Sequence, residues 1–190
     1  MFRLSHAIIA LAAILLPLLP GLAVTAEAQS TIHLIKDGQA QSRIVIAADA
    51  DAIERHAAAE LATYLHKITG AKVAVSSEAS GQGYPIYIGV IGANHIPSNA
   101  DIRANASKVE KEGYMLAADD TGLRILGKTS IGSLYGAYAV LKKYGEVRWF
   151  APGEEFEYCP RNPSFAIEAG MIVSNPSFHD NRWPSPAFAN

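Results

Sequence analysis

The sequence has 190 residues with 16 basic and 18 acidic side chains, so its formal net charge is only −2. Acids and bases are interspersed, which leaves no basic field for a nucleic acid or an anionic membrane surface. The single cysteine, Cys159, excludes an internal disulfide. The composition therefore predicts a protein whose partners are neither nucleic acids nor, once a leader is removed, a membrane.

Residues 1–28 have the pattern of a signal peptide. Arg3 precedes an apolar run from Ala7 to Leu19, and Ala26-Glu27-Ala28 forms a small-x-small cleavage signal. The run is too short to span a bilayer. We therefore expect a mature chain that begins near Gln29 and is exported to the periplasm or the cell exterior.

The first half of the mature chain predicts a βαβ unit. Strands are expected at 31–36 and 43–47, either as a hairpin or as two successive edge strands. A helix follows, which Asp51 begins in a capping box and Gly70 ends, and a strand at 72–75 comes next. The predicted buried stripe of the helix is Ile53, Ala57, Ala58, Leu61, Tyr64, Leu65 and Ile68.

The second half predicts a central strand at 85–90, an irregular helix within 99–109, and a hairpin of strands 112–117 and 123–127. A second long helix then starts at Thr129 or Ser130 and ends at Gly145, where a left-handed residue is expected. A short strand, 147–150, follows directly. The predicted apolar face of this helix is Ile131, Leu134, Tyr135, Tyr138 and Leu141, widened by Ala137, Val140 and Tyr144. Gly132 and Gly136 lie one turn apart, and each costs about 1 kcal/mol relative to alanine within a helix. The pair therefore predicts a surface packed tightly against the helix, most simply a sheet.

These elements predict an α+β fold in which a mixed β-sheet is covered by two long amphipathic helices. A Pro-rich C-terminal extension follows, since six of the ten prolines lie beyond Ala151. Its short extended pieces, 164–167 and 171–173, fit sheet edges at most. The predicted organisation is a signal peptide at 1–28, an α/β domain at 29–176, and a linker at 177–190.

No catalytic constellation is visible in the sequence. Glu154, Glu155 and Glu157 form an acidic cluster, but neighbours in a loop set no fixed separation for glycosidic hydrolysis. His56 and Glu60 are one helical turn apart without a third ligand, which favours a solvated pair over a metal site. The sequence thus predicts no catalytic residue, no metal and no cofactor.

One stretch, residues 122–129, matches the letters of a phosphate-binding loop, G-x-x-x-x-G-K-[ST]. Such a loop needs flexible residues between its glycines, so that successive N–H groups turn inward. Here the intervening Leu-Arg-Ile-Leu is the best strand candidate of the region. A nucleotide site is therefore not expected.

A series of short motifs comes in an ordered, spaced arrangement. They are Glu60-Leu61, Tyr64-Leu65, Ile68-Thr69-Gly70, Ile88-Gly89, Glu112-Gly113-Tyr114, Ile125-Leu126-Gly127, Gly132-x-Leu134-Tyr135-Gly136, Leu141 and Arg148-Trp149-Phe150-x-Pro152-Gly153-Glu154. The arrangement resembles the non-catalytic domain that precedes the barrel in bacterial α-glucuronidases and β-hexosaminidases and in related secreted proteins. The resemblance covers about residues 31–176, and the extra Glu146 departs from its usual pattern.

The resemblance implies a β-hexosaminidase N-terminal-domain-like fold, with the acid and base of the enzyme standing on a following barrel. The leading expectation is an accessory domain of an exported glycoside hydrolase of carbohydrate metabolism, cut off before that barrel. Its partner would be its own barrel, contacted through Trp149, Arg182 and Trp183. Alternatively, these residues would contact a glycan in a free-standing glycan-binding module. A complete small hydrolase is a third alternative.

Overall fold

The computed structural model describes residues 30–78 and 80–177. The helices are α1 (Ala52–Thr69), α2 (Ala100–Ala106) and α3 (Ser130–Tyr144). The strands, in chain order, are β1 (Thr31–Lys36), β2 (Gln39–Ala40), β3 (Ser42–Val45), β4 (Ala74–Ser76), β5 (Tyr84–Val90), β6 (Tyr114–Asp119), β7 (Gly122–Gly127), β8 (Arg148–Trp149), β9 (Glu157–Tyr158), β10 (Phe165–Glu168) and β11 (Gly170–Ser174).

The main sheet is mixed, as the sequence predicts. In the described part of the chain it has six strands in the order β11-β6-β7-β5-β3-β4. Strands β4, β3, β5 and β7 run parallel, β6 pairs antiparallel with β7, and β11 pairs antiparallel with β6. The fold is therefore a mixed α/β arrangement built on a β3-α1-β4 unit, with β11 as an edge strand.

Helix α1 begins and ends as its sequence predicts. The Asp51 carboxylate accepts bonds from the N–H groups of Ile53 and Glu54, and the Glu54 carboxylate accepts one from the Asp51 N–H. Gly70 ends the helix with φ 78°, in the left-handed region. The expected stripe is buried apart from the partly exposed Ile53, and it packs in one core with α3 and the sheet.

Helix α3 buries part of its predicted face, namely Ala137, Val140 and Leu141, and the tight packing against the sheet that was predicted at Gly132 and Gly136 is confirmed. Its buried residues are Gly132, Ser133, Gly136, Ala137, Val140 and Leu141, and Tyr135 is 40% exposed. A methyl group at Gly132 would overlap the carbonyl oxygen of Gly113, the residue directly before β6. The small residues therefore let the helix approach the sheet closely, and the larger Tyr135 is turned outward, so its predicted burial was wrong.

The two long helices share one face of the main sheet. Ile44, Ile86 and Ile125 point into the core they cover. On the opposite face, Ile96, Ile102 and Val109, from α2 and the chain around it, form a second core together with Val45, Tyr87, Met115, Ala117 and Leu126 of the strands. A region that the sequence predicted only as an irregular helix thus completes the second layer.

Two local predictions are corrected by the structure. Strand β1 pairs with β2 and β10 in a separate sheet, so it forms no hairpin with β3, although the Ser42 hydroxyl donates to the Leu34 carbonyl oxygen at 2.9 Å. Gly145 has φ −102°, and the left-handed residue is Glu146, with φ 55°. Gly145 is instead the place where a side chain would meet Phe165 and Ile68.

Candidate functional site

The candidate site is a hairpin of β8 and β9 that lies across α1. Arg148 pairs with Tyr158 and Trp149 pairs with Glu157. A single 3-10 turn, Glu154–Phe156, closes the connection, and the Phe150 N–H donates to the Phe156 carbonyl oxygen at 3.0 Å. The pairing brings an indole and a carboxylate side by side next to the helix.

Tyr64 of α1 joins the two strands of this hairpin. Its hydroxyl donates to Glu157 Oε1 at 2.6 Å and accepts from Trp149 Nε1–H at 2.6 Å. Lys67, one turn further along α1, bonds Glu157 Oε2 at 3.1 Å. We name Tyr64, Lys67, Trp149 and Glu157 the hairpin clasp.

Aromatic packing supports the hairpin clasp from α3. The rings of Tyr64 and Tyr138 each lie 5.1 Å from the Trp149 ring, centroid to centroid, in edge-to-face geometry. Such pairs are worth about 0.5–1.5 kcal/mol beyond the area they bury. The Tyr138 hydroxyl donates to Glu60 Oε2 at 3.0 Å. Both long helices therefore hold Trp149 in one orientation.

The charges of the hairpin clasp stabilise one another. Hydrogen bonds from Tyr64 and Lys67 lower the pKa of Glu157 below its ordinary value. The pKa of Lys67 is raised by its bond to the same carboxylate, and that of Tyr64 is raised by burial and by its bond to Glu157. Burial and the bond to Glu60 likewise raise the pKa of Tyr138. At neutral pH the carboxylate and the ammonium are charged and the hydroxyls are protonated.

An open cleft of about 440 Å³ lies over these residues. Its lining includes the carboxylates of Glu60 and Glu157 and the rings of Trp149 and Phe150, and the Phe150 side chain is 75% exposed. The carboxylate oxygens can accept hydrogen bonds from a partner, and the exposed ring can offer it apolar contact. Both carboxylates already accept bonds from tyrosine hydroxyls, which makes them anchored acceptors.

Of the site residues predicted from sequence, Trp149 lies in this cleft. Arg182 and Trp183 lie outside the described residues. The sequence interpretation missed Tyr64 and Tyr138 as site residues. A tyrosine in the buried stripe of a helix is a signal for such a site, because its hydroxyl needs a polar partner.

The acidic cluster is divided by the structure. Glu154 and Glu155 are exposed, whereas the side chain of Glu157 is only 17% exposed and belongs to the hairpin clasp.

His56 is exposed on α1, and Glu60 turns to Tyr138. In residues 30–78 and 80–177 no three side chains of His, Cys, Asp or Glu gather as a metal site would require. No helix of that part is long and apolar enough to span a membrane.

Comparison with known proteins identifies the family. The family model described as the N-terminus of glycosyl hydrolase family 67 matches residues 29–140, more than half of the chain. The chain belongs to this family. No curated protein matches it in sequence.

Two solved structures share the fold of this family 67 N-terminal domain, and a third is similar over the same share of the chain as the second. A family GH115 4-O-methyl-α-glucuronidase matches with a TM-score of 0.53 and 18% identity, over 77% of this chain and 18% of that one. A GH20 β-N-acetylhexosaminidase from Streptomyces coelicolor A3(2) matches with a TM-score of 0.50 and 16% identity, over 80% and 24% of the two chains. A β-hexosaminidase from Streptomyces plicatus matches with a TM-score of 0.49 and 17% identity, also over 80% and 24%. The domain thus spans a quarter or less of each of these enzymes.

Proposed function

We propose that this family 67 N-terminal domain is a non-catalytic accessory domain of an exported glycoside hydrolase, and that it supports a catalytic barrel. The observation that carries the proposal is the aromatic surface of the β8–β9 hairpin. Phe150, Tyr158 and Phe156 are 75%, 51% and 45% exposed. Large apolar side chains gathered on one exposed hairpin are typical of an interaction surface.

The hairpin clasp prepares this surface for a partner. Trp149 and Glu157 are held by Tyr64 and Lys67 of α1, so the hairpin loses little conformational entropy when it binds. Glu154 and Glu155 are exposed beside the aromatic rings. The complementary surface on the barrel would be apolar with a basic rim.

The absence of catalysis is tested with chromogenic glycosides. We expect the purified full chain to release no chromophore from aryl uronides or aryl N-acetylhexosaminides, because neither Glu60 nor Glu157 stands free as an acid or a base. Turnover that Glu60→Gln or Glu157→Gln abolishes would show that the domain is itself an enzyme and would contradict the proposal.

Docking is tested against the barrel encoded by the same or an adjacent reading frame. Calorimetry should detect binding of the full chain, and the double variant Phe150→Ser, Tyr158→Ser should weaken it by about tenfold or more. Val75→Ser is the matched control, because Val75 is 43% exposed on the edge strand β4. An encoded barrel that does not bind, or that binds the double variant equally well, would contradict the proposal.

A glycan-binding module remains the second candidate, and the cleft beside the hairpin favours it. The exposed ring of Phe150 could stack on the C–H face of a sugar, while Glu60 and Glu157 accept hydrogen bonds from hydroxyl groups. Calorimetric titration of the full chain with uronic acids and N-acetylhexosamines tests it. Heat that disappears in Phe150→Ser would favour the module, and no heat with any sugar would remove it.

A further inference from the structure

A second groove lies on the outer side of α3. It has a volume of about 280 Å³ and is formed by β6, α3 and the end of β11. We name it the tyrosine groove; its lining is Glu112, Tyr114, Tyr135, Tyr138, Ala139, Lys142, Ser174, Asn175 and Pro176. Tyr135 is 40% exposed in this groove, so part of its ring is not covered by any of the described residues.

The chain itself leaves the domain at this groove. Asn175 fixes the exit: its Nδ2 donates to the Lys108 carbonyl oxygen at 2.8 Å, and its Oδ1 accepts from the Glu110 N–H at 2.9 Å. Pro176, the next residue, forms part of the groove wall. Whatever follows Ser177 therefore starts beside the rings of Tyr114 and Tyr135.

The segment that follows matches the groove in chemistry and in length. Residues 178–183 read Phe-His-Asp-Asn-Arg-Trp, with an aromatic residue at each end and a cation before the second. The six residues after Ser177, which end at Trp183, can reach about 20 Å when extended. Tyr135 and Tyr138 are about 4.5 Å apart along the axis of α3. The segment can therefore cross the groove with length to spare.

Charge favours the same occupant. Glu112 lines the tyrosine groove, and Tyr138 lines both this groove and the hairpin cleft, where it bonds Glu60. Arg182 is the cation in the segment, and Glu112 in the groove and Glu60 in the adjoining hairpin cleft are carboxylates with which it can pair. Lys142, on the same wall, suits Asp180 of the segment.

We propose that residues 178–183 bind the tyrosine groove of their own domain, with Phe178 and Trp183 on the tyrosine rings and Arg182 paired with Glu112 or Glu60. The inference does not rest on the proposed function, because both surfaces belong to this chain. It gives Arg182 and Trp183 a place on their own domain instead of on a barrel or a glycan. It also fixes the direction in which any following segment leaves.

The test uses the two tryptophans of the chain. In the full chain with Trp149→Phe, Trp183 is the only tryptophan. Docking predicts that its emission is blue-shifted and that acrylamide quenches it weakly. Adding Ala139→Arg blocks the groove and should raise the quenching constant severalfold. The matched control is Ala104→Arg on the exposed side of α2, which should leave quenching unchanged. Circular dichroism checks that each variant is folded.

Trypsin gives a readout that does not depend on substituting Trp149. In the otherwise unsubstituted chain, docking predicts slow cleavage after Arg182, fast cleavage in Ala139→Arg, and slow cleavage in Ala104→Arg. Trp183 that is quenched as readily as free tryptophan, or cleavage equally fast in all three chains, would overturn the proposal. Protection that grows with protein concentration would also overturn it, in favour of a second copy as the occupant. Protection from trypsin that requires an added saccharide would also overturn the proposal, in favour of a glycan site.

Discussion

The Tyr64 hydroxyl bonds two partners on the same hairpin, and this one group links α1 to β8 and β9. It accepts from the Trp149 indole and donates to the Glu157 carboxylate, each at 2.6 Å. The side chain is 5% exposed, so water cannot readily replace either partner. The orientation of Trp149, and with it the aromatic surface of the hairpin, therefore depends on this residue.

We expect Tyr64→Phe to lower the free energy of unfolding by about 1–3 kcal/mol, because it removes a hydrogen bond to a carboxylate and leaves the indole N–H without its acceptor. Urea denaturation measures the change. Tyr158→Phe removes a hydroxyl from a residue that is 51% exposed and should change stability little. Equal losses in the two variants would mean that the hydroxyl of Tyr64 has no special role.

The Glu157 carboxylate makes part of the stability depend on pH. Its pKa is lower in the folded chain than in the unfolded chain, so its contribution is complete above the ordinary glutamate pKa of about 4.3 and is lost as the pH falls through the folded value. We expect Glu157→Gln to reduce stability at pH 7 and to make its decline in acid shallower. Glu155→Gln, at an exposed position, should keep the original slope. Unfolding midpoints between pH 7 and pH 3 measure both; parallel curves for all three chains would contradict the assignment.

At the scale of elements, the two long helices differ in how well their sequences describe them. For α1 the capping box, the left-handed Gly70 and nearly all of the stripe follow from local pattern. For α3 the two glycines and Ala137 are buried as predicted, but the pattern of large apolar residues also placed Tyr135 in the core, and it is 40% exposed. Periodicity ranks side chains by hydrophobicity, but close approach to a sheet selects them by size.

We expect Gly132→Ala to destabilise the chain by about 1–3 kcal/mol, although alanine is the better helix former by about 1 kcal/mol. The added methyl group would overlap backbone atoms of Gly113, which cannot move aside. Gly136→Ala is the matched variant, because its methyl group meets the Ile125 side chain at 2.7 Å. It should cost less, since a side chain can shift. Urea midpoints compare the two, and a stabilised Gly132→Ala would show that the contact is loose.

The connection after α3 explains where the sequence departs from the family pattern. Glu146 takes the left-handed conformation that was expected of Gly145. Gly145 is required for space instead, because a Cβ there would approach the Ile68 and Phe165 side chains at 2.8 and 3.0 Å. The extra residue thus completes the turn that leads from α3 to the buried Val147 and on into β8.

At the scale of the whole molecule, two cores lie on opposite faces of one sheet, and the hairpin surface lies beside the helical face. The arrangement leaves the β8–β9 hairpin and the tyrosine groove as neighbours, joined at Tyr138. A docked segment 178–183 would run from the groove toward the hairpin. The accessory role and the docking of this segment would then use one continuous side of the domain.

Export is the prediction that belongs to the chain as a whole. We expect bacteria that express the full chain to release a form that begins near Gln29, because residues 26–28 supply the small side chains that cleavage requires. N-terminal sequencing of the periplasmic or secreted fraction measures this. Ala28→Trp should block processing, whereas Gln29→Asn should not. A chain that stays uncleaved in the cytoplasm would contradict export.

The sequence by itself determined the family, the mixed sheet and the start and end of α1, because caps, turns and strand patterns are local and need no tertiary contact. It also pointed to Trp149. Only the tertiary structure decided that Tyr135 of α3 lies outside the core, how α2 and its surroundings close the second core, and that Tyr64, Lys67 and Glu157 hold Trp149. Glu157 is 93 residues from Tyr64 in the chain, and such a pairing depends on how whole elements pack, which no local pattern records.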